Sequence, residues 1–214
     1  MATTLLRKLL SLPLAAIIML GAVQLSWAGP PTDQLRAYTD QVLKILEDPK
    51  LSLPDRRTAV RKVANEAFDV SETAKRALGQ HWQQRTPAER EEFVQLFANL
   101  LEQTYISRIS EYGGERITYT GEQVDGDRAT VRAKIVTSKG TEVPVESRLL
   151  KSQDRWLIYD VLIANMSLIS NYRTQFDRVI RQSSYPELVQ RLRTRGELLN
   201  EKENSAKGST PGKR

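Results

Sequence analysis

The 214-residue chain contains no cysteine and a single histidine, His81. Without a thiol there is no disulfide, no thiolate nucleophile and no cysteine to carry a lipid anchor. One imidazole rules out any zinc site built from histidine and cysteine and any mechanism that needs two histidines. Serine chemistry also lacks its setting. No Gly-x-Ser-x-Gly elbow surrounds a serine, no Ser-x-x-Lys pair occurs, and no glycine-rich phosphate loop is present. His81 stands beside Trp82 just past an expected helix end, where a surface or capping role is the ordinary reading. The chain shows no internal repeat, no second domain and no recognisable nucleic-acid-binding module, so no nucleic acid partner is expected.

Long apolar runs are scarce as well. The one that stands out, Leu9–Val23, is roughly 15 residues, whereas a membrane span needs roughly 20. Arg7 and Lys8 precede it, and Ser26-Trp27-Ala28 offers small residues at cleavage positions, so residues 1–28 are expected to be a signal peptide. The product would be a free, exported domain that relies on packing alone, over residues 29–199. The tail 200–214 has one apolar residue, Ala206, among Gly, Ser, Pro and charges, and is expected to be disordered. The formal charge is +6, and Arg7 and Lys8 lie in the leader. The remaining basic excess suits a solvated surface and favours approach to anionic membranes.

What is present is a helical half followed by a strand half. Leu35, Tyr38, Val42, Ile45 and Leu46 form a first helical stripe entered through Pro31-Thr32. A second helix from Asp55 carries Val60, Val63, Ala64 and Ala67. Asp69 with Glu72 predicts a capped third helix that ends at Gly79. Thr86-Pro87-Ala88-Glu89 is a capping box with proline at the first helical position. It opens a long helix to about Glu111, with an inner stripe of Phe93, Leu96, Phe97, Leu100, Leu101, Tyr105 and Ile109.

After Gly113-Gly114 the period changes to two. Strands containing Ile117 and Tyr119, then Val131, Ala133 and Ile135, flank Asp125-Gly126 as a two-residue hairpin. Ser138-Lys139-Gly140 leads to Val143, Val145, Ser147 and Leu149, and Ser152-Gln153-Asp154 leads to Trp156–Ile163. Turns this short enforce antiparallel neighbours, which gives an α+β fold with a four-stranded meander curled against several helices. A helix then carries Leu168 or Ile169, Tyr172, Phe176, Val179 and Ile180, and a last one from about Pro186 carries Leu188, Val189 and Leu192.

Asp160 lies inside an otherwise apolar strand. A carboxylate there must be paired, with Arg173 or a backbone amide, so it is expected to hold the strand-to-helix junction. Carboxylates are plentiful, which keeps a two-carboxylate hydrolase open as a rival to a binding protein. Pattern leaves a second question open: sheet and helices either close on a filled core or leave a cavity.

The stretch Trp156–Phe176 resembles the signature of the toluene-tolerance family of MlaC-like periplasmic phospholipid-binding proteins. The residues carrying the likeness are Trp156, Tyr159-Asp160-Val161, Ile163, Ser167-Leu168, Asn171-Tyr172-Arg173 and Gln175-Phe176. Phe68-Asp69, Leu78-Gly79 with Trp82, and Thr86, Arg90, Phe93, Phe97, Thr104 and Tyr105 extend it over roughly residues 33–195. The family usually shows an acidic residue and a glycine in the strand-to-helix loop; here Ala164-Asn165 stand instead.

The resemblance implies a non-enzymatic carrier in the periplasm with no cofactor and phospholipid as its cargo; nothing in the sequence suggests a constitutive assembly, so a monomer is expected. Such a carrier moves lipid between outer and inner membranes and so maintains outer-membrane lipid asymmetry. Its implied partners are an outer-membrane lipoprotein complex and an inner-membrane ABC transporter complex with lipid-binding domains. It also implies an apolar pocket between sheet and helices. Carried over by residue, that pocket takes Phe97, Leu101 and Tyr105 from the long helix. From the sheet it takes Val131, Ala133, Ile135, Val145, Ser147, Leu149 and Ile158, with Met166, Leu168 and Tyr172 closing the mouth. The rivals are the hydrolase and a non-catalytic adaptor or chaperone with a filled core.

Overall fold

A computed structural model describes residues 30–106 and 111–195; the expected leader 1–28 and tail 200–214 lie outside the described residues. The helices are α1 (Pro31–Glu47), α2 (Leu53–Ala67), α3 (Val70–Leu78), α4 (Pro87–Tyr105), α5 (Leu168–Gln182) and a final helical stretch, α6, over 185–195. A 3-10 turn, Gly79–Gln84, joins α3 to the approach to α4. The strands are β1 (Arg116–Asp125), β2 (Arg128–Val136), β3 (Glu142–Ser152), β4 (Arg155–Ile163) and the two-residue β5 (Met166–Ser167). They form one antiparallel sheet in chain order, so the fold is α+β with the expected meander plus one short added strand.

The helix starts follow from local chemistry. The Asp69 carboxylate accepts from the Glu72 N–H at 2.8 Å to start α3. Gly79 ends it at φ +58, where a Cβ would meet the Arg173 side chain at 3.0 Å. At α4 the Thr86 hydroxyl accepts from the Glu89 N–H (3.2 Å), and the Glu89 carboxylate accepts from the Thr86 N–H (2.8 Å). That N–H is the main reason the Glu89 carboxyl titrates below its ordinary value.

Three boundaries differ from expectation. Helix α2 starts at Leu53, not Asp55, because Ser52 caps it and Pro54 fits the first turn. Helix α4 stops at Tyr105 rather than near Glu111. In its last turn the Thr104 hydroxyl donates to the Leu100 carbonyl (2.7 Å), competing with the helical ladder. The first hairpin loop is Gly126-Asp127, since Asp125 pairs with Arg128; Gly126 supplies the positive φ.

The loop after β4 is itself a two-residue hairpin. Ala164 and Asn165 both adopt positive φ (49° and 65°), so that Ile163 faces Met166 and Leu162 faces Ser167. Such a turn favours Asn and Gly, and alanine there stores backbone strain. Ser167 then caps α5 by accepting from the Ser170 N–H at 2.9 Å.

Two apolar cores result. One lies among helices: Phe93, Phe97, Leu100, Ile169 and Phe176 pack with Ala74, Ala77, Leu78, Leu188 and Leu192. Its rings meet edge-on or stacked at centroid distances of 5.5–5.9 Å for Phe97–Phe176 and Phe93–Phe97. The other lies on the inner sheet face: Ala129, Val131, Leu149, Trp156 and Ile158 pack with Ala67, Leu35 and Tyr38. The sheet also holds α1 through hydrogen bonds. Glu122 accepts from the Thr32 N–H (2.7 Å) at the helix start, and the Trp156 N–H donates to Gln34 (2.6 Å).

Candidate functional site: a cavity on the seam between two cores

The seam between these cores is set by a parallel bridge. Phe68, at the end of α2, pairs with Ile158, and the Asp69 N–H donates to the Ile158 carbonyl at 2.9 Å. This pins the α2–α3 joint against β4 and leaves a space beyond it of about 230 Å³. Four walls enclose it. Helix α2 contributes Arg61, Ala64 and Asn65, and the joint contributes Phe68, Val70 and Thr73. The second half of α4 contributes Ala98, Leu101, Glu102 and Tyr105, followed by Ile106. Strand β4 and the start of α5 contribute Tyr159, Asp160, Val161, Leu168 and Ile169.

The β4 wall depends on a bulge. Opposite β3, Leu149 pairs with Ile158 and Ser147 with Val161, so Tyr159 is the extra residue. Before the bulge Trp156 and Ile158 hold the phase of the sheet core; after it Val161 and Ile163 hold it. The Arg76 guanidinium lies 3.9 Å over the Tyr159 ring and fixes that side chain. From Val161 the inner face continues across the sheet to Ser147 and Val131, then to the row Ile163, Val145 and Ala133. Exposure rises from the first row to the second, from 1% at Val131 to 8% at its neighbour Ala133, and reaches 37% at Ile163.

Asp160 is 5% exposed, and its carboxylate is satisfied. It accepts from the Ser167 hydroxyl (2.7 Å) and the Ile169 N–H (3.2 Å), with the Arg148 guanidinium at 3.7 Å. The backbone amide is the expected partner, and Arg148 takes the place considered for Arg173. The carboxylate joins β4, β5 and the start of α5, so its oxygens are engaged in structure. At the solvent edge of the cavity the guanidinium of Arg61 is paired with the Glu102 carboxylate.

Of the residues singled out from sequence, Leu101, Tyr105 and Leu168 line this cavity. Phe97, fully buried, and Tyr172 belong to the aromatic cluster, with centroids 5.2 Å apart. Val131, Leu149 and Ile158 are sealed in the sheet core, and Ala133 and Ser147 are buried on the same face. Ile135 and Val145 are half-buried, and Met166 is 71% exposed at the β4–β5 hairpin tip. Sequence reasoning missed Ala64, Phe68, Val70, Ala98 and Ile169 as lining residues, and with them the rim pair. One signal was available: Ala98, Leu101 and Tyr105 form a second stripe on α4, rotated from Phe93, Phe97 and Leu100.

A second depression, about 300 Å³, lies over Leu78, Gln80, His81, Arg173, Thr174 and Asp177. It is larger but more open, and its polar groups are engaged: Arg173 donates to the Ser170 hydroxyl (3.4 Å) and the Thr174 hydroxyl to the Ser170 carbonyl (3.0 Å). His81 Nε2 lies 2.9 Å from Asp177, which also accepts from Gln80 (2.9 Å) and Arg181 (3.0 Å). These bonds, His81's first, hold the Asp177 carboxyl down at about 2. His81 therefore ties the 3-10 turn to α5. Among the described residues, no group of three or more His, Asp or Glu is placed to hold a metal, and no helix is long and apolar enough to cross a membrane.

Comparison with known proteins places this geometry in context. A family model described as MlaC protein matches residues 36–194. The chain is 22% identical over 155 residues to the intermembrane phospholipid transport system binding protein MlaC of Haemophilus influenzae, covering 70% of each. It is 28% identical over 92 residues to toluene tolerance protein ttg2D of Pseudomonas putida, covering 42% of this chain and 43% of that one. In three dimensions it is similar to the phospholipid-binding protein from Ralstonia solanacearum, solved in complex with a phospholipid. The TM-score is 0.72 at 26% identity, over 80% of this chain and 99% of that chain.

Proposed function

The chain belongs to the MlaC protein family, and from that premise we propose that it is a phospholipid-binding carrier whose cargo enters the seam between the two cores. The observation that carries this reading is the apolar cavity bounded by Ala98, Leu101, Phe68, Val161 and Leu168, with charge only at its edge and at the engaged Asp160. Each acyl methylene withdrawn from water gains about 0.8 kcal/mol, so an apolar space with a polar rim suits an amphiphile. The names of the relatives in Haemophilus influenzae and Pseudomonas putida and the lipid-bound Ralstonia solanacearum structure support the same reading.

At about 230 Å³ the cavity is smaller than the roughly 300–1,000 Å³ of ordinary ligand sites. Two acyl chains therefore require the walls to part. We expect them to part along the seam, because it separates two cores that are each packed within themselves. Parting it along the inner sheet face uncovers Ser147 and Val131 next to Val161, then Val145, Ala133 and Ile135. Leu149 and Ile158 border the same wall. On the helical side Phe97 and Tyr172 stand behind Leu101 and Leu168, and Met166 marks the hairpin tip beside the mouth.

A carrier of this kind needs no catalytic group, metal or nucleotide. We place it in the periplasm, behind a signal peptide over residues 1–28, moving phospholipid between outer and inner membranes in support of lipid asymmetry. Its partners are an outer-membrane lipoprotein complex and an inner-membrane ABC transporter complex with lipid-binding domains. The test is organic extraction of the purified protein followed by mass spectrometry, with phospholipid near one molecule per chain as the expected result. A protein that carries no lipid and takes none from vesicles overturns the carrier reading. Lipid turnover lost on Asp160→Asn would support the hydrolase instead.

A further inference from the structure

The cavity rim carries a charge pattern that its apolar floor does not need. Arg61 and Ala64 of α2 flank the same opening as Ala98, Leu101 and Glu102 of α4. Both charged residues line the cavity and keep contact with solvent; the side chains are 45% and 28% exposed. Each satisfies the other in the absence of cargo. Asn65, one turn along α2 from Arg61, adds an exposed amide to the same rim.

We propose that Arg61 and Glu102 together recognise a zwitterionic phosphodiester headgroup, the guanidinium taking the phosphate and the carboxylate taking the headgroup ammonium. This rests on the carrier reading and assigns its headgroup class. A guanidinium holds a phosphate through two parallel N–H donors, and it has five such donors to share. A zwitterionic headgroup replaces each rim residue's partner with a group of the same charge, so the exchange leaves no ion unpaired. An anionic headgroup without an amine satisfies Arg61 but releases Glu102 beside a phosphate of like sign. An uncharged glyceride leaves the ion pair intact and gains nothing from it. Because Arg61 is exposed and Glu102 only half-buried, solvent screens the pair, which sets preference among lipids while the apolar walls supply most of the binding.

The experiment loads the purified protein from vesicles in which phosphatidylethanolamine, phosphatidylglycerol and a minor amount of diacylglycerol share the same acyl chains. Bound lipid is extracted, quantified by mass spectrometry and normalised to the vesicle composition. The wild-type protein should prefer phosphatidylethanolamine over phosphatidylglycerol about threefold and over diacylglycerol about tenfold. Arg61→Gln should abolish the preference for phosphatidylglycerol over diacylglycerol and weaken that for phosphatidylethanolamine, whose ammonium still meets Glu102, and Arg61→Lys should restore most of both. Glu102→Gln should keep the preference for phosphate and lose the distinction between the two phospholipids. Wild-type loading in proportion to the vesicle, or Arg61→Gln with the wild-type profile, overturns this inference while the carrier reading stands. No lipid of any class on the wild-type protein overturns the carrier reading, and this inference with it.

Discussion

Along α4 two faces of one helix meet opposite surroundings. Phe93, Phe97 and Leu100 enter a closed cluster in which each is at most 4% exposed. Ala98, Leu101 and Tyr105, rotated by about one residue's turn, face an open space, and Tyr105 is 42% exposed. The first face is filled by three phenylalanine rings and a tyrosine in mutual edge and stacked contact. The second is faced by Ala64, Phe68 and Val161 across a space of about 230 Å³ that they leave unfilled. One helix thus serves as both foundation and wall, and substitutions on its two faces should report different properties.

The sharpest contrast is Phe97→Ala. Removing a fully buried ring leaves a void that close-packed neighbours cannot fill, at a cost of about 3–5 kcal/mol by denaturant unfolding. A cost near 1 kcal/mol would mean that the closed face is as loose as the open one. Thr86→Ala acts on the same side by removing the capping box, and should cost about 1 kcal/mol with the amount of bound lipid unchanged. Lipid lost with the cap would show that the two faces are coupled.

Ala98→Phe should do the reverse. It adds a ring where there is space, so stability should stay within about 1 kcal/mol while extracted lipid falls steeply. If this variant instead melts like an overpacked core mutant, the seam is closed in solution and the distinction between the faces collapses.

The smallest effect concerns the polar tie beside the closed core. Asp177 is held at about 2, chiefly by the hydrogen bond to His81, against roughly 3.9 in an unfolded chain. A depressed carboxyl contributes stability that is fully present above about pH 4 and is lost as pH falls toward about 2. Melting temperature followed across that interval should drop less for Asp177→Asn than for the wild type. Parallel curves would show that the tie between the 3-10 turn and α5 carries no net weight.

Much of this architecture was legible in the sequence because its causes are local. Thr86 and Glu89 cap α4 from three residues apart, Gly79 ends α3 through its own backbone freedom, and the turns at 137–141 and 153–154, with the first hairpin turn read one residue early, enforce the meander. Periodicity alone also identified Phe93, Phe97, Phe176 and Leu188 as inward-facing. The strand-to-helix junction was legible in part: Asp160 had to find a partner, and it found the expected backbone amide.

What tertiary structure decided is which apolar faces meet and whether they fill the space between them. The stripe Ala98, Leu101 and Tyr105 looks like any other helical face until α2 brings Ala64 opposite it, and no residue within a few positions encodes that approach. The bulge at Tyr159 changes which β4 residues face inward, yet it arises from pairing with Leu149 on another strand. Met166 reads as an apolar lid and stands exposed because Ala164 and Asn165 turn tightly enough to form β5. Caps and turns cost and gain their energy within a few residues, so sequence determines them. A cavity is volume that distant side chains leave unfilled, so only the folded arrangement of α2, α4, β4 and α5 could create it.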